Sequence, residues 1–212
     1  MVDSKTVVLQ KIRDALSAQG EHREPEYAAI RRTYLQAGEL DSAHRLALFE
    51  RRLRDYDAGV HRCGGSTIAK TIADVLRHRQ KKSLLVPTEI PVEWLPQNFA
   101  FVRNDALTYA EIDHSEGVLT ESAVAIASTG TIVLRHSNEA GGRALTLIPD
   151  YHLCLVHAEK VMETVPEGVR QMASFGAAPI TMISGPSATS DIEMTRIKGV
   201  HGPRTLDVIL VI

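Results

Sequence analysis

Cysteine is scarce in this chain. Among 212 residues there are two, Cys63 and Cys154, far apart and without a C-x-x-C. That excludes a disulfide framework. It also argues against an iron–sulfur cluster held by this chain alone, because the usual cluster takes four thiolates. Two reduced, partly buried thiols in a cytosolic protein are expected. Long apolar runs are missing as well. None approaches the ~20 residues that span a bilayer. The opening stretch MVDSKTVVLQKIRD mixes acids and bases and has no apolar h-region, so no targeting segment and a cytoplasmic location are expected. Charge of one sign is absent too: 24 Lys plus Arg stand against 26 Asp plus Glu, for a net charge of -2. A nucleic-acid footprint would need a basic excess or stripe. No internal repeat or low-complexity tract occurs.

What remains is an ordinary globular composition, 44% hydrophobic and 24% charged, in a chain long enough to bury a core without disulfides or metals. Val7, Val8, Ile12, Ala15 and Leu16 recur at helical spacing, which predicts an amphipathic helix over Ser4 to Gln19, stopped by Gly20. Residues 21–40 are polar and read as a loosely attached arm. Ala43 to Tyr56 is predicted as a second helix, rich in Arg and Glu, with Leu46, Phe49 and Leu53 as its apolar stripe. From Val60 the pattern changes. Short apolar runs at Val60–Arg62, Ser83–Val86 and Phe99–Val102 alternate with a helix carrying Ile68, Ile72, Val75 and Leu76, the signature of βαβ units and a parallel sheet. The middle reads as hairpins. Ala123–Ala127 and Ile132–Leu134 flank a tight turn at Gly130, and Ala144–Ile148 and Leu153–Val156 repeat that pattern around Pro149-Asp150. Pro166 suits the first turn of a helix running to Ala173. Strands at Ile180–Ile183 and Leu206–Ile212 close the chain.

The most informative stretch lies between those last two strands. Ser184, Gly185, Ser187, Thr189, Ser190, Asp191, Glu193, Arg196, His201 and Arg204 fill a segment with almost no core character. Loops of this kind on a rigid sheet are where binding sits. Ser190-x-x-Glu193 is a capping-box pattern, which predicts a short helix from Asp191 to about Lys198. Its N-terminal N–H groups would attract an anion, with Ser187 and Thr189 as donors and Arg204 as a charged clamp. Plain capping by Ser190 and Glu193 is the competing explanation. His201 is a candidate proton carrier or ligand contact, against a plain turn histidine. Gly64-Gly65-Ser66-Thr67 can form an anion nest but lacks the Lys of a P-loop, and an N-cap by Ser66 is the simpler expectation. Thr129, Gly130 and Thr131 form a hydroxyl-bearing turn. No metal site is expected. His152 and His157 lack the spacing of a zinc helix, and Asp113, His114 and Glu116 read as a polar loop. No G-x-S-x-G elbow is present.

Three motifs carry a resemblance. Residues 125–134 (AIASTGTIVL), 147–152 (LIPDYH) and 184–193 (SGPSATSDIE), the last followed by GVHGPR at 199–204, resemble the lactate-utilisation protein C family of LUD-domain proteins. The likeness runs from about Val60 to the C-terminus. It implies an α/β fold, a three-layer α/β/α sandwich of the phosphosugar isomerase and CoA-transferase type. It also implies a division into an N-terminal helical extension, 1–58, and a LUD domain, 59–212. The function it implies is support of L-lactate oxidation to pyruvate alongside partners that carry iron–sulfur or cysteine-rich segments. No cofactor is expected on this chain, and a small carboxylate or phosphate is the expected ligand of the 184–204 loop. Where family members have Glu in an A-E-T-G-T turn, Ser128 stands here, so a carboxylate role at that place does not carry over. The alternatives are a stand-alone enzyme on a phosphosugar or acyl-CoA, with Glu121 or Glu193 as nucleophile, and a non-enzymatic scaffold or sensor using the arm and the second helix.

Overall fold

The structure is a computed structural model that describes residues 3–17, 29–103, 107–136, 142–186, 188–189, 197–198 and 202–212. It contains two compact units, Met1–Tyr34 and Leu35–Ile212. The first holds helix α1, Ser4–Ser17, none of whose residues is buried. Among the described residues no helix is long and apolar enough to cross a membrane.

The second unit opens with α2, Ser42–Asp55, started by the Asp41 side chain, which accepts from His44 N at 2.9 Å. Such a cap contributes ~1 kcal/mol. The stripe read from the sequence, Leu46, Phe49 and Leu53, is fully used: all three are buried. The sequence grouped this helix with an extension ending at residue 58, yet its stripe lies inside the core of the α/β unit. Strand β1 (Gly59–Cys63) follows, then a 3-10 turn and α3 (Ile68–His78). Ser66 does not cap that helix. Thr67 Oγ1 donates instead to the Gly64 carbonyl at 2.9 Å and accepts from Gly64 N at 3.2 Å. Three residues of 3-10 winding, Gly65–Thr67, precede the α-helix and move the hydroxyl role from Ser66 to Thr67.

Next come β2 (Ser83–Val86), β3 (Ala100–Arg103), α4 (Tyr109–Asp113), β4 (Val118–Glu121), β5 (Val124–Ile126), β6 (Thr131–Arg135), α5 (Ala144–Leu147) and β7 (Tyr151–His157). They are followed by β8 (Val161–Met162), α6 (Val165–Met172), β9 (Ile180–Ile183), β10 (Ala188–Thr189), β11 (Ile197–Lys198) and β12 (Thr205–Val211). Six strands form one sheet in the order β1-β12-β7-β4-β2-β3, and every neighbouring pair is parallel. Parallel sheets are buried on both faces, so their strands read as unbroken apolar runs. The central strands β7 and β12 show this, with Leu153–Val156 and Val208–Leu210 wholly inaccessible to solvent. A second sheet, β8-β5-β6-β9, is mixed.

Side chains alternate between two cores. On one face of the main sheet, Leu153, Leu155 and Ile209 pack on Ile68, Ile72, Val75 and Leu76 of α3. On the other, Cys154, Val156, Val208 and Leu210 meet α2 and the second sheet through Phe49, Leu53, Ala125 and Ile132. Burying each Leu, Ile or Phe fully contributes about 1.5–3 kcal/mol. The α/β fold is as expected, with one addition. The layer on the second face is α2 together with a small sheet, rather than helices alone.

Two local expectations are corrected. The predicted second hairpin, Ala144–Ile148 with Leu153–Val156, does not form. Ala144–Leu147 is a short helix, and β7 pairs in parallel with β12 and β4. A four-residue apolar run does not distinguish strand from buried helix by period. In the tail, Ile197–Lys198 is extended and pairs antiparallel with Ala188–Thr189, so the predicted helix does not reach Lys198. Residues 191–196 lie outside the described residues.

Candidate functional site

The strand order locates a crevice. From β2 the chain steps outward to β3, whereas from β4 it steps the other way, to β7 and then β12. Adjacent strands whose connections diverge leave a gap at their carboxyl ends, the usual binding place in open α/β sheets. Here β2 and β4 share a single Cα register pair, Leu85 with Val118. A cleft of ≈ 380 Å³ opens beyond them, lined by Pro87 after β2, by Thr120, Glu121 and Ser122 at the end of β4, and by Lys160 after β7. Leu134, Arg135 and His136 of the second sheet close its far side. The volume falls within the ordinary range for small-molecule sites.

The walls are held by specific bonds. One Arg103 nitrogen at the tip of β3 donates to the carbonyls of Pro87, Thr88 and Ile90 at 2.8, 3.0 and 2.8 Å, fixing the loop after β2. Lys160 forms an ion pair with Glu121. His157 Nε2 faces the same Glu121 oxygen at 3.7 Å, and its ring lies 5.5 Å from that of Trp94. His136 shares a 2.8 Å bond with the Thr181 hydroxyl. Burial, with the nearby Arg143 charge, holds its pKa below the ordinary value. His152, one strand deeper, shares a 2.7 Å bond with Thr120 Oγ1, and burial pulls its pKa down to about 4. Both histidines are therefore neutral at pH 7. Cys154 is buried and its thiol is pushed up to about 12, so it is an inert core thiol.

The tail site is described in part. Ser184 Oγ bonds Thr131 Oγ1 at 2.8 Å, and Thr131 bonds Thr129 Oγ1 at 2.7 Å. The sequence had treated the turn and the tail as separate stretches, and antiparallel pairing of β6 with β9 joins them. Gly130 (φ 62) and Gly185 (φ 80) both adopt the left-handed conformation, and a Cβ on either would collide with Arg52 or Tyr56 of the α2 segment. Arg204 faces Asp150 at 3.6 Å, with both side chains exposed. Thr205 pairs with Tyr151, so Arg204 sits at the amino end of β12, away from the divergent carboxyl ends. Ser187, Ser190, Asp191, Glu193, Arg196 and His201 lie outside the described residues, and Thr189 contributes only its place in β10. Of the catalytic candidates, Glu121 falls among the described residues and lies on the crevice.

A charged group that sequence reading passed over is Asp207. Fully inaccessible to solvent within β12, it accepts two 2.7 Å bonds from Arg79 and one of 2.9 Å from the Tyr151 hydroxyl. Burial works to raise its pKa, but bonds from Arg79, His61 and Tyr151 prevail and hold it well below the carboxylate range. Its register partner is Gly59, the first residue of β1. It therefore ties the amino ends of the strands together, opposite the crevice. The signal was legible, since an acid within TLDVILV must find partners if the strand is central. Among the described residues, no group of three or more His, Cys, Asp or Glu could hold a metal.

The LUD domain family pattern matches residues 106–211. A Deinococcus radiodurans protein named Lactate utilization protein C is 43% identical over 175 residues, covering 81% of this chain and 82% of that one. The chain belongs to the LUD domain family. A Lactate utilization protein C of Geobacillus kaustophilus is 33% identical over 130 residues, 57% of this chain and 52% of the relative. A crystal structure of a DUF162 family protein from Deinococcus radiodurans superposes with a TM-score of 0.71 at 39% identity, over 82% of this chain and 99% of that chain. The LUD pattern spans both the hairpin with its Ser128 turn and the β4 tip that carries Glu121.

Proposed function

We propose that this chain takes part in lactate utilisation, supporting oxidation of L-lactate to pyruvate together with iron–sulfur partner proteins and binding a small anionic ligand. The observation that carries the reading is the 43% identity, spread over four-fifths of both chains, to a Lactate utilization protein C. Cluster-borne electron transfer is assigned to partners because two cysteines fall short of four thiolates. The 184–204 loop is the proposed contact for the anion. Support comes from the hydroxyl ladder Thr129–Thr131–Ser184, which the fold assembles beside Gly185. The test is genetic. Deleting the gene should abolish growth on L-lactate as sole carbon source and spare growth on glucose, with rescue by the intact gene. Unimpaired growth on lactate would remove the proposal.

A second reading, a stand-alone acyl-transferring enzyme, is favoured by one observation: Glu121 lies on the switch-point crevice. In that case its carboxylate would attack an acyl-CoA thioester and release CoA thiolate, leaving an acyl anhydride on the protein. Intact-protein mass spectrometry after exposure to acetyl-CoA reads this directly. No mass gain, or a gain retained by Glu121→Gln, rejects it.

A further inference from the structure

We infer that the switch-point crevice is itself a binding site for a 2-hydroxycarboxylate, seated on Lys160, Glu121 and Ser122. Three buried side-chain polar atoms lack a hydrogen-bond partner among the described residues, and two of them, Ser122 Oγ and His157 Nε2, flank Glu121. The Ser122 residue is 1% exposed and lines the cleft. A buried hydroxyl left without a partner is costly, and a turn about its side-chain torsion would present this one, which belongs to a residue of the cleft wall, to a ligand atom.

Charge decides the class of ligand. Lys160 and Arg135 supply two cations to the lining, and Glu121 and Glu89 supply two carboxylates. A phosphate ester would be opposed by the acids, and a simple cation by the bases. A molecule bearing both a carboxylate and a hydroxyl donor suits both signs. The Lys160 ammonium has three donors and gives one to Glu121, which leaves others for a ligand carboxylate. The Glu121 carboxylate has acceptor sites beyond the one Lys160 occupies, so it can accept a hydrogen bond from the ligand's 2-hydroxyl. Ser122 Oγ then bonds the ligand from the end of β4. The ≈ 380 Å³ cleft exceeds a three-carbon acid and leaves room for ordered water or a second reactant. The site stands on its own geometry, whereas the choice of L-lactate as the acid rests on the role proposed above.

The experiment titrates the purified full chain with L-lactate, pyruvate and inorganic phosphate by calorimetry, and follows backbone amide resonances by NMR. L-lactate should move the resonances of residues 120–123 and 160, and should bind more tightly than pyruvate, which has no hydroxyl to donate to Glu121. Lys160→Met should weaken lactate binding about tenfold or more, the worth of one charge-assisted bond. Glu121→Gln should erase the preference for lactate over pyruvate. Arg77→Met, which removes an exposed cation paired with Asp74 on α3, should leave binding unchanged. NMR spectra of each variant confirm that it is folded. Equal affinity for lactate and pyruvate, undiminished binding in both Lys160→Met and Ser122→Ala, or resonance shifts confined elsewhere would overturn the assignment. So would absence of lactate binding in a chain that still restores growth on lactate, a result that leaves the cellular role standing.

Discussion

At the residue scale, two buried titratable groups set the acid sensitivity of the protein. His152 has a folded pKa of about 4 against an ordinary value of 6.5. Its neutral form is favoured by folding, so its contribution is complete above about pH 6.5 and is lost as pH falls toward 4, a difference of about 3 kcal/mol. Asp207 works in the same direction at lower pH. Its depressed folded pKa gives stability that is full above the unfolded carboxylate value near ~3.9 and is lost below it. Urea midpoints measured between pH 7 and 3 should fall through both windows, and His152→Gln should flatten the upper one. Arg79→Met is a sharper test of Asp207. It leaves an inaccessible carboxylate without its cation and should lower stability by about 3 kcal/mol, the low end for a broken buried pair because Arg79 is partly exposed. A loss under 1 kcal/mol would show that His61 and the Tyr151 hydroxyl suffice.

At the element scale, the β5–β6 hairpin shows how a local signal and a tertiary contact combine. Glycine at the tight point was legible from the sequence, and the structure gives it φ 62. What the sequence did not contain is the backbone of Arg52, 3.0 Å from where a Gly130 Cβ would sit. Gly130→Ala should therefore cost about 2 kcal/mol or more, combining left-handed strain with that clash. Thermal unfolding measures it. Helix α2 makes a comparable point. Its stripe was evident, but its destination was not, because helical period reports which face is apolar and says nothing about what covers it. Phe49→Ala should cost about 3–5 kcal/mol if that destination is the core, and under 1 kcal/mol if α2 is a detachable extension.

At the scale of the whole molecule, the division of the chain has a direct consequence. The unit Leu35–Ile212 contains its own double core, so removal of residues 1–34 should leave a chain that unfolds cooperatively with little change in midpoint. Removal of 1–58 takes Leu46, Phe49 and Leu53 out of one core and should abolish cooperative unfolding. Circular dichroism melts of the two truncations separate these outcomes. The same scale explains the two regions of interest. The tail connects β9 of the small sheet to the amino end of β12, whereas the crevice lies beyond the carboxyl ends of β2 and β4.

Some of this was determined by the sequence alone. Runs such as Ser83–Val86 and Ile180–Ile183 became strands as read. Three motifs pointed to the family that overall similarity then established. Only the tertiary structure decided which strands are neighbours. It thereby placed the divergence between β2 and β4 and brought Glu121, Ser122, His157 and Lys160 together across β4 and β7. Pairing between strands distant in the chain depends on how whole faces fit, and that information resides in no local window. The same holds for Ser122 and Asp207, which are ordinary polar residues in the sequence and become consequential once other elements have excluded water from them.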